Sequence, residues 1–280
     1  FKVSRCSHQN ISNWEDFIPA KDGTLIGGLI FLKDWILRSE VSDALSKIYV
    51  RNIQTNEEEE LKITEERVIS PGISIGQKDK DTNIIRISYD SPKTPSRTFE
   101  YNIKTKEKKL LKEEIIPSGH NRDDYIVERL NCESHDERQI PMTITYHKKT
   151  KLDGSAHLLL YGYGSYGMSM GPSFSSTRLS LINRNIIWVT CHIRGGMERG
   201  MRWWKEGKML NKKNTFSDFI SCTKFLIEKK YTSKKKIIAY GGSAGGLLLG
   251  STINQIPDLL LGAIMAVPFV DNLTTNMDHS

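Results

Sequence analysis

The stretch Lys234-Lys235-Lys236-Ile237-Ile238-Ala239-Tyr240-Gly241-Gly242-Ser243-Ala244-Gly245-Gly246-Leu247-Leu248-Leu249-Gly250 decides how the chain is read. Residues 237–240 form a short apolar run that predicts a buried strand. Gly-x-Ser-x-Gly follows, with Gly241 and Gly245 flanking Ser243 and further glycines at Gly242 and Gly246. An apolar segment long enough for a helix runs to about residue 255, and Pro257 stops it. Strand, tight turn and helix are the context in which this pentapeptide reads as a nucleophile elbow. A serine in a sharp, strained turn needs neighbours without bulky Cβ substituents, because chain and helix pass close on both sides. Its hydroxyl then projects from the sheet, and the first helical N–H groups face any oxyanion forming beside it. The pentapeptide alone says little, since glycine and serine are common loop residues; the flanking elements carry the argument.

At 280 residues the chain can hold one large domain or two ordinary ones around a real core. Hydrophobic and charged fractions of 38% and 26% are those of a water-soluble globular protein. The net charge of +7 comes from lysine runs at 104–112, 148–151 and 229–236. A nucleic-acid face would mix in arginine, absent from these runs, and no zinc or helix-turn-helix spacing supports one, so solvated lysines on helix ends and hairpin edges are expected, with no nucleic-acid partner. Cysteines stand at 6, 132, 191 and 222 without a Cys-x-x-Cys pair. Cys191 falls in an apolar strand and Cys222 in a helix, so both read as small core residues, consistent with a reducing, cytoplasmic setting. The longest apolar run, 259–270, contains Gly262 and Pro268 and falls short of the roughly 20 residues that span a bilayer.

Residues 1–120 read as β-structure. Residues 47–53 alternate, turn at 54–56 and return through 61–63; the same figure recurs at 98–103, 104–106 and 109–111. Asn-Ile-x-Thr occupies 52–55 and again 102–105. Hairpins repeating at roughly 40–50 residues suggest propeller blades; a plain antiparallel sheet with two similar turns is the other reading. His8, His120 and His135 lie in polar surroundings and read as surface residues. Pro117-Ser118-Gly119-His120-Asn121 marks a boundary. Within 121–280, strands are expected at 124–130, 140–146, 157–164, 186–193, 237–240 and 263–270. Helices are expected at 179–183, 215–230 and after Ser243. Apolar strands alternating with helices imply a parallel sheet covered on both faces.

A serine nucleophile needs a base, an acid to orient the base, and oxyanion donors. In α/β-hydrolases the acid and base follow the serine in the chain. After Ser243 the sequence offers Asp258, Asp271, Asp278 and His279. Asp258 reads as a helix cap, and His279 has no element to hold it. His192 precedes the serine inside an apolar strand and reads as a core or rim histidine, with a role as base as the alternative. The residues show a nucleophile without its base.

Several motifs carry a family resemblance. They are Tyr161-Gly162-Tyr163-Gly164-Ser165-Tyr166-Gly167, His192-Ile193-Arg194-Gly195-Gly196 with Glu198, and Lys213-Asn214-Thr215-Phe216 with Asp218-Phe219. Gly241-Gly242-Ser243-Ala244-Gly245-Gly246 and Val267-Pro268-Phe269-Val270-Asp271 complete the series. In this order they resemble the prolyl oligopeptidase family, in particular its oligopeptidase B branch, and a looser match runs upstream through Trp14-Glu15-Asp16-Phe17-Ile18-Pro19.

The resemblance implies late blades of a β-propeller over 1–120, then the first half of an α/β-hydrolase domain over 121–280. It implies a serine peptidase cleaving short peptides after Lys or Arg, with no metal or organic cofactor. Ser243 falls on the nucleophile, and the Ala244 N–H and Tyr163 hydroxyl fall on the oxyanion donors. Strand end 163 and elbow 243 are expected on one sheet edge, where α/β sites form. Packing is the alternative for Tyr163 and the preferred reading of Tyr161. Relatives carry the P1-binding acids and the triad Asp and His beyond the point where this sequence stops, so an internal or truncated portion, itself inactive, is expected. The stretch 168–173 has no acid, which argues against a preference for paired basic residues. A non-catalytic remnant of a split gene, or an esterase or acylaminoacyl-peptidase, are the rival readings. An exposed strand near Ile264 is expected to promote self-association.

Overall fold

Runs of β-branched and aromatic residues, broken by turn-formers, make the first part of the chain almost wholly strand. The structure, a computed structural model, describes residues 1–75 and 80–278. It comprises two units, one of residues up to Ser118 with Gly171–Phe174 and Met197–Trp203, the other of Gly119–Met170, Ser175–Gly196 and the chain from Trp204 on.

In the first unit β1 (Val3–Ser7) and β2 (Asn10–Ile18) pair as an antiparallel ribbon. Two four-stranded sheets follow. One is ordered β3 (Thr24–Phe31), β4 (Trp35–Ser42), β5 (Leu45–Asn52), β6 (Glu58–Glu60). The other runs β7 (Ser70–Ser74), β8 (Ile84–Ser91), β9 (Thr94–Asn102), β10 (Lys108–Glu113). All neighbours are antiparallel.

The repeated Asn-Ile-x-Thr builds the same turn twice. Asn52 Oδ1 accepts from the N–H groups of Gln54 and Thr55 at 2.8 and 3.1 Å, and Asn102 Oδ1 from those of Lys104 and Thr105 at 3.0 and 3.1 Å. Thr55 then bonds Glu57, and Thr105 bonds Glu107. Two separate sheets with equivalent last hairpins are successive blades, so the plain-sheet alternative falls. Leu37, Ile48 and Val50 of one sheet share a core with Ile85, Ile87 and Tyr89 of the other.

The second unit begins with a 3₁₀ turn, Arg122–Asp124, capped by Asn121. Its strands are β11 (Tyr125–Glu133), β12 (Gln139–His147), β13 (Leu158–Gly162), β14 (Ile187–Cys191), β15 (Ile237–Gly242) and β16 (Leu260–Ala266). Interspersed are α1 (Ser176–Ile182), α3 (Lys212–Glu228), α4 (Ala244–Gln255) and α5 (Asn272–Met277), while most of α2 (Gly200–Lys205) belongs to the first unit. The six strands form one sheet in the order β11-β12-β14-β13-β15-β16.

The expectation of a parallel sheet holds for β14, β13, β15 and β16, whereas β11/β12 and β12/β14 are antiparallel. The connection 134–138 explains the first of these: it is long enough for a hairpin and far too short for a parallel crossover. Helices cover both faces of the sheet. Arg178 of α1 lies 4.5 Å over the Trp188 ring on one face; on the other, a Cβ at Gly162 would meet Phe219 of α3 and Leu248 of α4 at 2.8 Å.

Cys132, Cys191 and Cys222 are all buried and free. His120 differs from its surface reading: its half-buried ring stacks on Tyr125 with centroids 5.0 Å apart. The last strand starts and stops earlier than 263–270, because Pro268 has no N–H for the ladder and the elbow takes over the flanking backbone groups. No helix among the described residues is long and apolar enough to cross a membrane.

Candidate active site

β15 is buried on alternate residues and runs into α4 with only Ser243 between them. Ser243 has φ 53° and ψ −116°, a region that non-glycine residues occupy only when their surroundings enforce it. The enforcement is visible in the backbone. Ser243 N–H donates to the Ala266 carbonyl at 2.9 Å, and its own carbonyl accepts from Gly246 at 2.8 Å and Phe269 at 3.0 Å. The side chain is exposed, and its hydroxyl caps no helix N–H.

The elbow glycines are sterically required. A Cβ on Gly241 would stand 2.6 Å from the Gly245 carbonyl oxygen, and one on Gly245 2.9 Å from that of Gly162. One on Gly246 would overlap Pro268, whereas Gly242 is less confined, at 3.4 Å from the Ala266 oxygen. Ala244 is the first residue of α4, so no carbonyl of its own helix can accept its N–H. That donor sits beside the serine at the positive end of the helix dipole.

Tyr163 arrives from the neighbouring strand. Tyr161 pairs with Tyr240 across β13 and β15, and continuing this register sets residue 163 level with 242, one position before the serine. A Cβ on Gly245 would lie 3.6 Å from Tyr163 Cδ2, which brings the ring against the elbow. Burial, with Tyr166 beside it, raises the Tyr163 phenol above its ordinary value, so it remains a donor at neutral pH. No hydrogen bond among the described residues engages that hydroxyl. Tyr161 by contrast packs, with ring centroids 6.3 Å from Trp188 and 5.4 Å from Tyr240, and its hydroxyl donates to Met170 Sδ at 3.5 Å.

The other ionisable candidates go elsewhere. His192 is fully buried, and its Nε2 lies 2.8 Å from Thr143 Oγ1. Thr143 belongs to β12, which flanks β14 on the side away from β13 and β15. Asp271 caps α5 by accepting from the Thr274 N–H at 3.0 Å. Asp258 lies in the turn between α4 and β16 and caps no helix, because a strand follows it. His279 lies outside the described residues. Among the described residues no group of three or more His, Cys, Asp or Glu is placed to hold a metal ion.

Residues 1–114 match the model of the prolyl oligopeptidase N-terminal β-propeller domain, and residues 172–280 match that of the prolyl oligopeptidase family.

The chain belongs to the prolyl oligopeptidase family.

It is a β-propeller portion followed by the start of the family's α/β-hydrolase domain. It is 38% identical to a dipeptidyl aminopeptidase BI of Pseudoxanthomonas mexicana over 95% of this chain and 36% of that protein. It is 35% identical to a protease 2 of Moraxella lacunata over 100% of this chain and 40% of that protein. An oligopeptidase B from Trypanosoma brucei with covalently bound antipain superposes with a TM-score of 0.89 at 31% identity, over 97% of this chain and 39% of that one. The chain thus spans well under half the length of these prolyl oligopeptidase relatives.

Two features of the site are hard to see in sequence. Arg194, Asp218 and Ser134 form a buried polar cluster where the loop after β14 begins, and the more exposed Asp136 closes its outer side. Lys212, the first residue of α3, donates to the Gly164 carbonyl at 2.6 Å and to Ser165 Oγ at 2.7 Å. A lysine opening a helix, where the dipole disfavours cations, was the one sequence signal that it has a partner elsewhere.

Proposed function

We propose that Ser243 is the nucleophile of a serine peptidase, with the Ala244 N–H and the Tyr163 hydroxyl donating to the oxyanion. The observation that carries this reading is the backbone of Ser243: a non-glycine residue at φ 53° and ψ −116° between strand and helix, with its side chain exposed. Such strain is maintained only where contacts over-determine it, and here they present one hydroxyl beside a helix N-terminus. The Ser243 oxygen attacks the scissile carbonyl as its proton passes to a base. The amine leaves after protonation, and water hydrolyses the acyl-enzyme.

Among the described residues no histidine is hydrogen-bonded to Ser243, so we assign the base and its carboxylate to the remainder of the full-length protein. On this reading the 280 residues alone do not turn over peptide. The substrates are short peptides with Lys or Arg at P1, a class supported by the likeness to protease 2 and oligopeptidase B. The 38% identity to a dipeptidyl aminopeptidase favours a second reading, release of dipeptides from a free N-terminus.

The test is labelling of the full-length protein with a serine-directed phosphonate beside a Ser243→Ala control, then hydrolysis of N-blocked and free peptides ending in Arg at P1. Labelling that persists in the control would overturn the assignment. Cleavage of free peptides alone would favour the second reading.

A further inference from the structure

The loop after β13 is held in an unusual shape. Gly164, Tyr166 and Gly167 have φ of 63°, 55° and 67°, while Ser165 between them is buried. A side-chain-bearing residue such as Tyr166 pays for a left-handed backbone and relaxes unless neighbours hold it. Backbone bonds supply part of the hold: Gly167 N–H donates to the Gly195 carbonyl at 2.9 Å, and Met168 N–H to that of Ser165 at 3.0 Å. Neither fixes the carbonyl of Gly164, the residue directly after Tyr163. Lys212 does. Its Nζ reaches that oxygen at 2.6 Å and Ser165 Oγ at 2.7 Å.

Local energetics do not explain a lysine here. It opens α3, where the helix dipole repels a cation, and burial pushes its ammonium pKa down to about 8. Its neighbour Lys213 is exposed, so the sequence could have left both lysines in water. The cost is offset by two hydrogen bonds, and both end on the loop that carries the Tyr163 ring to the elbow.

We propose that Lys212 is a positioning residue for Tyr163, clamping the 164–165 backbone so that the phenol stands where an oxyanion at Ser243 forms. This rests on the reading of Ser243 and Tyr163 given above. Lys212 touches neither substrate nor reacting atoms; it acts by keeping a donor pre-aimed, which is where such donors gain their effect.

The experiment is a double-mutant cycle in the full-length protein that carries this chain, with Lys212→Met, Tyr163→Phe and the pair, read as kcat and KM on an Arg-P1 peptide. Lys212→Met is expected to lower kcat about 10-fold or more with KM within about 3-fold, as for an interaction made only in the transition state. In the Tyr163→Phe background the same change is expected to cost less than about 2-fold, because no phenol is left to aim. Lys212→Arg, which keeps a donor, is expected to recover part of the loss. Equal losses in both backgrounds would show a merely structural lysine and overturn the proposal while leaving the Tyr163 reading intact. Wild-type turnover in Tyr163→Phe would overturn both. If Lys212→Met does not fold, Ser165→Ala, which removes one of the two acceptors, carries the same cycle with the same criteria.

Discussion

Arg194 and Asp218 face each other entirely out of solvent, with Nη2 to Oδ1 at 2.6 Å, Nε to Oδ2 at 2.9 Å, and side chains 1% and 0% exposed. The same carboxylate accepts the Arg194 backbone N–H at 3.0 Å and the Ser134 hydroxyl at 2.7 Å. One aspartate on α3 thus ties the loop after β14 to the loop after β11. Gly195, the next residue, has φ 102° and no room for a side chain, since a Cβ would overlap the Gly164 carbonyl. Asp218→Ala leaves a buried guanidinium short of its partner and is expected to cost roughly 3–5 kcal/mol in denaturant unfolding. A loss under about 1 kcal/mol would mean that Asp136 alone satisfies the arginine.

Asp136 closes the outer side of the same arginine, with Arg194 Nη1 at 2.6 Å and Nη2 at 3.0 Å. Burial pushes its carboxyl up, but the hydrogen bonds and charge of Arg194 outweigh that and leave it below the ordinary value. The unfolded chain therefore takes up this proton first as pH falls. The stabilisation is complete above about pH 4 and is lost below it as pH falls through the folded-state value. Melting temperature measured across pH 3–6 is expected to fall less steeply for Asp136→Asn than for the wild type.

On the proposed role of Tyr163 as an oxyanion donor, Tyr163→Phe in the full-length protein is expected to lower kcat by about 10²-fold with little change in KM, as for an interaction made only in the transition state. A tenfold rise in KM at unchanged kcat would make the tyrosine a substrate-binding group instead.

Residues 168–173 carry no carboxylate, and Met168 is half exposed while Met170 packs on Tyr161. A second cation therefore finds no partner in this stretch, and an unpaired buried charge is costly. Peptides with Arg-Arg and Ala-Arg before the cleaved bond are expected to show kcat/KM within about tenfold of each other. A larger preference for Arg-Arg would point to an acid elsewhere in the full-length protein.

β16 stands last in the strand order, and Leu261 and Ile264 on it are about half exposed. An apolar strand at a sheet edge pairs readily with another chain. The 280-residue chain expressed alone is expected to elute from gel filtration as an oligomer or aggregate, and Leu261→Lys with Ile264→Lys to shift it toward monomer.

Features that depend on neighbours in the chain were legible from the residues alone. The elbow is one: strand, glycines, serine and helix lie within a single run, and the tight turn at Ser243 is accommodated by Gly241 and Gly245, two positions to either side of it. The twin turns are another, because Asn52 and Asn102 close them with their own downstream N–H groups. The polar cluster, the lysine clamp and the strand order were not legible. Asp136, Arg194 and Asp218 come from three distant parts of the chain, and nothing local to any of them names the others. Lys212 carries only its place at a helix start as a hint, and its partner, the Gly164 carbonyl, lies 48 positions away in the chain. That Tyr163 rather than Tyr161 meets the elbow follows from the register of β13 on β15, which sets Tyr161 beside Tyr240 inside the sheet and carries 163 on to the level of the turn. Side-chain type and local spacing are written in the sequence; register and long-range pairing exist only once non-local backbone hydrogen bonds have formed, and these decide which of the written groups meet.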